Sequence, residues 1–141
     1  MNDRRAFFDT NVLIYAFATD DSRTATAEQL LVSGGRTSVQ VLNEFVAVAS
    51  RKMAMPWREI LAALGVLESL LPRPEPVTVV THKTALEIAG RYGYHIYDST
   101  VVAAALASRC DTLYSEDMHD GQVIGGLTIC NPFRKIGKKR S

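Results

Sequence analysis

The stretch RRAFFDTNVLIYAFA at positions 4–18 decides the fold. Its first part, Arg4 to Phe8, is short, ends on two aromatics and stops at a carboxylate, which reads as a strand running to the edge of a sheet. Its second part, Asn11 to Ala18, is apolar on nearly every side and suits a buried helix. A strand handing over to a helix through Asp-Thr-Asn is the opening of an α/β unit. In such units ligands gather outside the carboxyl ends of the strands.

Outward from this stretch the pattern continues. Asp20, Asp21 and Ser22 read as a turn and N-cap for an amphipathic helix over 23–33, which Gly34-Gly35 stops. A brief strand is expected at 36–39, with Ser38 capping a helix over 39–53. Pro56 fits the first turn of a helix over 56–71, and Pro72, Pro74 and Pro76 then impose an extended link. Val77 to Val80 reads as a β-branched strand, Thr81 as the cap of a helix that runs to Tyr92, and Gly93 as its end. Asp98 opens an alanine-rich helix over 98–109, expected to be the most buried. Strands follow at 112–115 and 127–130, with a polar turn from Glu116 to Gly121 between them. The expected architecture is a three-layer α/β sandwich with a central, mostly parallel sheet flanked by helices.

Composition agrees with one packed domain. The chain has 141 residues, 47% hydrophobic and 22% charged, enough to form a core without disulfide staples. Cys110 and Cys130 show no metal-binding spacing and read as reduced, buried thiols. No signal peptide or membrane span is legible, so a cytoplasmic protein is expected. The net charge of +1 conceals an asymmetry. The tail at 134–141 holds Arg134, Lys135, Lys138, Lys139 and Arg140, a charge of +5, so the body at 1–133 carries −4.

Four acids fall near one rim. Asp9 follows the first strand, Asp117 follows the strand at 112–115, Asp98 stands at a helix start, and Glu44 lies among Leu42, Phe45 and Val46. Each has an ordinary alternative: Asp9 and Asp98 as helix caps, Asp117 and Asp120 as turn residues, Glu44 as half of a salt bridge. No basic residue stands three or four positions from Glu44, so its partner must come from elsewhere in the chain. Together, with no matching set of histidines or cysteines, four carboxylates point to a hard cation.

The strings FFDTNVLIYAF at 7–17, VLNEF at 41–45, YDSTVVAAA at 97–105 and LYSEDMHDG at 113–121 resemble those of the PIN-domain nucleases, and most of all VapC-type toxins. The resemblance runs in order over about 6–131. It implies that Asp9, Glu44, Asp98 and Asp117 are catalytic, metal-binding acids. It further implies that Asn11 supports Asp9 and that Ser115 is the small hydroxyl residue before the last acid; Glu116 and Asp120 lie close to Asp117 in sequence, and Asp120 is taken as its helper. The implied activity is that of an endoribonuclease using Mg²⁺ or Mn²⁺, in which metal-activated water attacks the phosphodiester in line. The implied partners are RNA and a cognate antitoxin, with the chain itself a homodimer.

Other residues have weaker claims. His119 is a loop residue near Asp117, His95 between Tyr94 and Tyr97 either stacks on a base or seals a helix entry, and His82 belongs to the surface. The basic tail either neutralises phosphates or solubilises a terminus. The helices at 22–33, 39–53 and 56–71 carry apolar surface for a core, a subunit interface or an antitoxin. Three rivals stand beside the toxin: a housekeeping PIN nuclease without antitoxin, a silent RNA-binding domain, and a Mg²⁺-binding phosphoacceptor module of receiver type. The last wants paired acids after the first strand and a lysine after a late one. Here Asp9 is followed by Thr10-Asn11 and the strand at 112–115 by Glu116-Asp117. The same Asn11 disfavours an Asp-x-Asp phosphatase.

Overall fold

The computed structural model describes residues 5–137; positions 1–4 and 138–141, with Arg4, Lys138, Lys139 and Arg140, lie outside the described residues. Four strands form one open sheet in the order β1-β2-β4-β3: β1 (Ala6–Phe8), β2 (Thr112–Tyr114), β3 (Val123–Ile124) and β4 (Leu127–Cys130). β1 pairs in parallel with β2, Phe7 opposite Leu113, and β2 in parallel with β4, Leu113 opposite Ile129. β3 is an antiparallel edge joined to β4 by Gly125-Gly126. The α/β sandwich with a mostly parallel, helix-flanked sheet is therefore present.

The sheet centre is apolar because all three β1 residues and both Leu113 and Ile129 are buried, as parallel strands covered on both faces must be. Its helical cover consists of α1 (Thr10–Ala16), α2 (Thr24–Val32), α3 (Val39–Arg51), α4 (Trp57–Leu70), α5 (Val79–Tyr92) and α6 (Ile96–Ala107), with a short α7 (Arg134–Gly137) at the end. α6 buries every residue from Ser99 to Ala105, and its alanines let α5 pack alongside it. Ser38 caps α3 by accepting from Val41 N at 3.2 Å, as its position in the sequence implies.

Several expectations need correction. No strand forms at 77–80: α5 already starts at Val79, and its cap is Thr78, not Thr81, through a 3.1 Å bond from Thr81 N. Val79 and Val80 are 68% and 74% exposed, so the β-branched run has no sheet to join, and the local cap prevails over strand propensity. The strand at 36–39 shrinks to single parallel bridges, Phe7 to Arg36 and Ser38 to Glu75. α2 starts at Thr24, and Asp21 rather than Ser22 accepts from Arg23 N, at 2.9 Å. α6 starts two residues before Asp98, with His95 as its N-cap.

The segment at 35–36 runs tight against β1. Arg36 N donates to Ala6 O at 2.8 Å and Phe8 N to Arg36 O at 3.0 Å. Gly35, at φ +153°, has no room for a side chain: a Cβ there falls 2.6 Å from Ala6 O and 2.7 Å from the Phe8 ring. This close approach clamps the far side of β1 just before Asp9.

Candidate metal centre

β1 and β2 end side by side, and the site is built on those ends. Asp9 N donates to Tyr114 O at 3.0 Å, continuing the ladder, so Asp9 and Ser115 leave the sheet as neighbours. Asp9 is 4% exposed. One oxygen caps α1 by accepting from Thr10 N at 2.7 Å, and the other accepts from Ser115 Oγ at 2.8 Å. Ser115 is fully buried and its hydroxyl also accepts from Asp117 N at 3.2 Å. One hydroxyl therefore ties the first acid to the last.

The capping role foreseen as the ordinary alternative for Asp9 is real and coexists with a place at the rim. For Asp98 it is absent: Asp98 sits within the first turn of α6, its N–H directed at His95 Nδ1 (3.5 Å) and its carboxylate 3.0 Å from His95 Nε2. Asn11 supports Asp117 more than Asp9. Its Nδ2 donates to Asp117 Oδ2 at 3.2 Å and its Oδ1 accepts from Glu116 N at 3.1 Å, bracing the last loop against α1. Among the described residues Glu44 forms no ion pair. It accepts from Thr10 Oγ1 at 2.8 Å.

Burial first, and the fields of Asp98 and Asp117 after it, push Asp9 from its ordinary 3.8 up to about 7, against the opposing hydrogen bonds of Ser115 and Thr10. Burial also raises Glu44, opposed by Thr10 and His95 and reinforced by Asp98 and Asp117. Asp98 is raised by burial and by Asp117, with His95 opposing. These mutual fields bring Asp9, Glu44, Asp98 and Asp117 into one electrostatic unit. Among the described residues no arginine or lysine forms an ion pair with any of them.

Asp120 is not part of that unit. Its carboxylate accepts from Asn131 N at 2.7 Å and pairs with Arg134 at 2.6 Å; these bonds hold it below the usual carboxylate range. It anchors the start of the basic tail instead of assisting Asp117.

Three contributors escaped the reading of the sequence. Thr10 orients Glu44, and the only signal was its position inside Asp-Thr-Asn. His95 faces Asp98 one helical turn on, an i, i+3 spacing visible once the helix start is known. Tyr15, Arg23 and Glu116 form a side cluster. The Tyr15 hydroxyl donates to Glu116, and Arg23 bonds Tyr15, Glu116 and Asp21. Nothing in the sequence joins residues 15, 23 and 116.

The donor set is all oxygen and suits a hard cation, and the buried, raised Asp9 is the group a cation would relieve. As the side chains stand, no three acidic, histidine or cysteine groups among the described residues converge into a closed coordination cluster. The rim matches the ion in chemistry and charge, and two of its carboxylates, Glu44 and Asp117, also line a cavity.

Ser115→Ala tests the central tie. Asp9 loses a donor to its charged form, so the variant is expected to lose about 1–3 kcal/mol at pH 8 and less at pH 4, where Asp9 is protonated. Urea unfolding at the two pH values reads the difference; an equal loss at both would count against it.

The family described as PIN domain matches residues 6–119. Among solved structures, the VapC20 toxin of Mycobacterium tuberculosis, described as cleaving the sarcin–ricin loop, is 27% identical, with a TM-score of 0.67 over 79% of this chain and 89% of that one. The VapBC2 complex of Rickettsia felis, bound to a promoter DNA fragment, is 18% identical, with a TM-score of 0.63 over 88% of this chain and 96% of that one; at that identity the likeness is one of fold. No curated protein sequence matches the chain.

Proposed function

Because the chain belongs to the PIN-domain family, we propose that it is a metal-dependent endoribonuclease, the toxin of a toxin–antitoxin pair. The observation that carries the reading is the carboxylate rim without an arginine or lysine partner among the described residues, with Asp9 buried and raised to about 7. A charge so placed is costly in the free protein and becomes useful when a cation arrives.

In this reading Asp9, Glu44, Asp98 and Asp117 hold Mg²⁺ or Mn²⁺. When bound, the ion offsets the carboxylate repulsion, polarises the scissile phosphate and acidifies water. The chain's own part is orientation. Ser115 and Thr10 N–H aim the two Asp9 oxygens, Thr10 Oγ1 turns Glu44, Asn11 and Ser115 set the Asp117 loop, and His95 steadies Asp98. Preorganisation of this kind keeps the acids from relaxing outward when no ion is present.

The test is cleavage of a mixed RNA pool by purified protein, in Mg²⁺ or Mn²⁺ and in EDTA, beside Asp9→Asn. Fragments that need the metal and vanish in the variant are expected. Equal fragments from both proteins would reveal a contaminant, and none from either would sink the nuclease reading.

The antitoxin is carried over from the likeness to VapC toxins, and the VapBC2 complex supplies the precedent. Exposed Val32, Trp57, Leu61 and Val66 give a homodimer or an antitoxin apolar surface to cover. No described helix is long and apolar enough to cross a membrane, and the two cysteines are free, which fits the proposed cytoplasmic setting. The phosphoacceptor alternative is disfavoured by Asp9 itself, which is buried and engaged by a backbone N–H and a hydroxyl, whereas a phosphoacceptor must meet its donor in the open.

A further inference from the structure

A cavity of about 390 Å³ opens between α1 and α3 and shares its mouth with the acid rim. Glu44, Asp117 and Asn11 line one end. The rest is walled by Ile14 and Tyr15 from α1 and by Ala47 and Val48 from α3. The acid chemistry uses only the polar end. The apolar end has no share in holding a cation.

Tyr15 is locked in place. Its hydroxyl bonds Glu116 and Arg23, the Arg23 guanidinium covers the ring at 3.8 Å from its centroid, and Phe133 meets it nearly perpendicular at 5.0 Å. A ring held on several sides loses little freedom when something flat packs against its remaining surface. Opposite it, exposed Ala47 is small and leaves the wall open.

We propose that this apolar end seats one nucleobase of the RNA, a purine next to the scissile phosphate; the proposal rests on the nuclease reading above. Position argues for it, because the cavity shares Glu44 and Asp117 with the rim, so its occupant adjoins the reacting phosphate. The state of the polar groups argues for stacking over hydrogen-bond readout. The Asn11 amide is engaged by Asp117 and Glu116 N, and the Thr10 hydroxyl by Glu44. One Asn11 N–H is left over, but a wall whose polar groups are otherwise engaged discriminates more by size and stacking, which favours the larger, bicyclic bases.

Cut-site sequencing of a randomised RNA pool in Mn²⁺, with wild type and Ala47→Leu, tests it. Wild type is expected to enrich purines at one position beside the break. The added leucine, at an exposed helix position that tolerates it, is expected to lower cutting at those purine sites about tenfold relative to pyrimidine sites. No purine enrichment in wild type, an unchanged profile in the variant, or an equal loss at both classes of site would overturn the base seat. It would leave the cavity to a partner protein's side chain. Absence of any Mn²⁺-dependent cutting by wild type would instead overturn the nuclease reading beneath it.

Discussion

Asp9→Asn is expected to lower RNA cleavage about a hundredfold or more and, in the same protein freed of metal, to raise stability at pH 8 by as much as about 4 kcal/mol. The two effects share one cause. In the unfolded chain Asp9 ionises near 3.8, and in the folded one near 7. Between those values the folded state keeps a proton that the unfolded state has lost, so stability falls as pH rises and levels off above pH 7. At about 1.4 kcal/mol per factor of ten in acidity, the full penalty is the figure given above. Asparagine carries no such penalty. Its carbonyl can take the Thr10 N–H while its amide donates to the Ser115 hydroxyl, so the local bonds survive. The gain should shrink to well under about 1 kcal/mol near pH 4 and vanish only below about pH 3, where both states of the wild type are protonated. Mg²⁺ should narrow it at pH 8 by stabilising the wild type alone. Urea unfolding in EDTA and in Mg²⁺, at both pH values, measures all of this. A variant no more stable than wild type at pH 8 would mean that Asp9 is not a strained charge.

Gly35→Ala is expected to destabilise by about 3 kcal/mol or more, although Gly35 carries no side chain of its own. The new Cβ meets the Ala6 carbonyl oxygen and the Phe8 ring at 2.6 and 2.7 Å. Neither can yield. Ala6 O is held by Arg36 N, Phe8 is fully buried, and its ring stacks on Tyr114 at 5.6 Å. The backbone at φ +153° adds strain of its own. Gly90→Ala is the contrast. It lies at an exposed position of α5 with nothing within 4 Å of its Cβ, and the same change there should stabilise by up to about 1 kcal/mol. Chemical denaturation of the pair separates close approach from general intolerance of alanine; similar losses in both would remove Gly35 as a clamp.

Residues with strong local preferences were readable without a structure. Arg4 to Ala18 announced a strand ending at an acid and a buried helix, and Ser38 and Gly93 marked helix ends by chemistry that acts within a few residues. Glu44 was conspicuous because its neighbours are apolar, yet its partner, Thr10, lies 34 residues away. Val77 to Val80 misled because β-branched residues favour strands only where a sheet edge is available; here a threonine one position into the run starts a helix first. β3 escaped because two residues are too short for any periodicity. Asp120 looked like a helper by proximity in sequence alone. Only the return of the chain at Asn131 and Arg134 shows where its charge is used.

The register of β1 against β2 also governs when the acid rim can assemble during synthesis. Phe8 pairs with Tyr114 and Asp9 with Ser115 across 106 residues, and that contact is what brings the first acid to the last. A ribosome-bound chain that has not yet released residues 112–117 has one strand of the four, no tie for Asp9 and no Asp117. Pairing so distant is slow to form because the long loop must close before any contact rewards it. The four acids are therefore among the last things the chain brings together, so the site cannot form before synthesis is nearly complete.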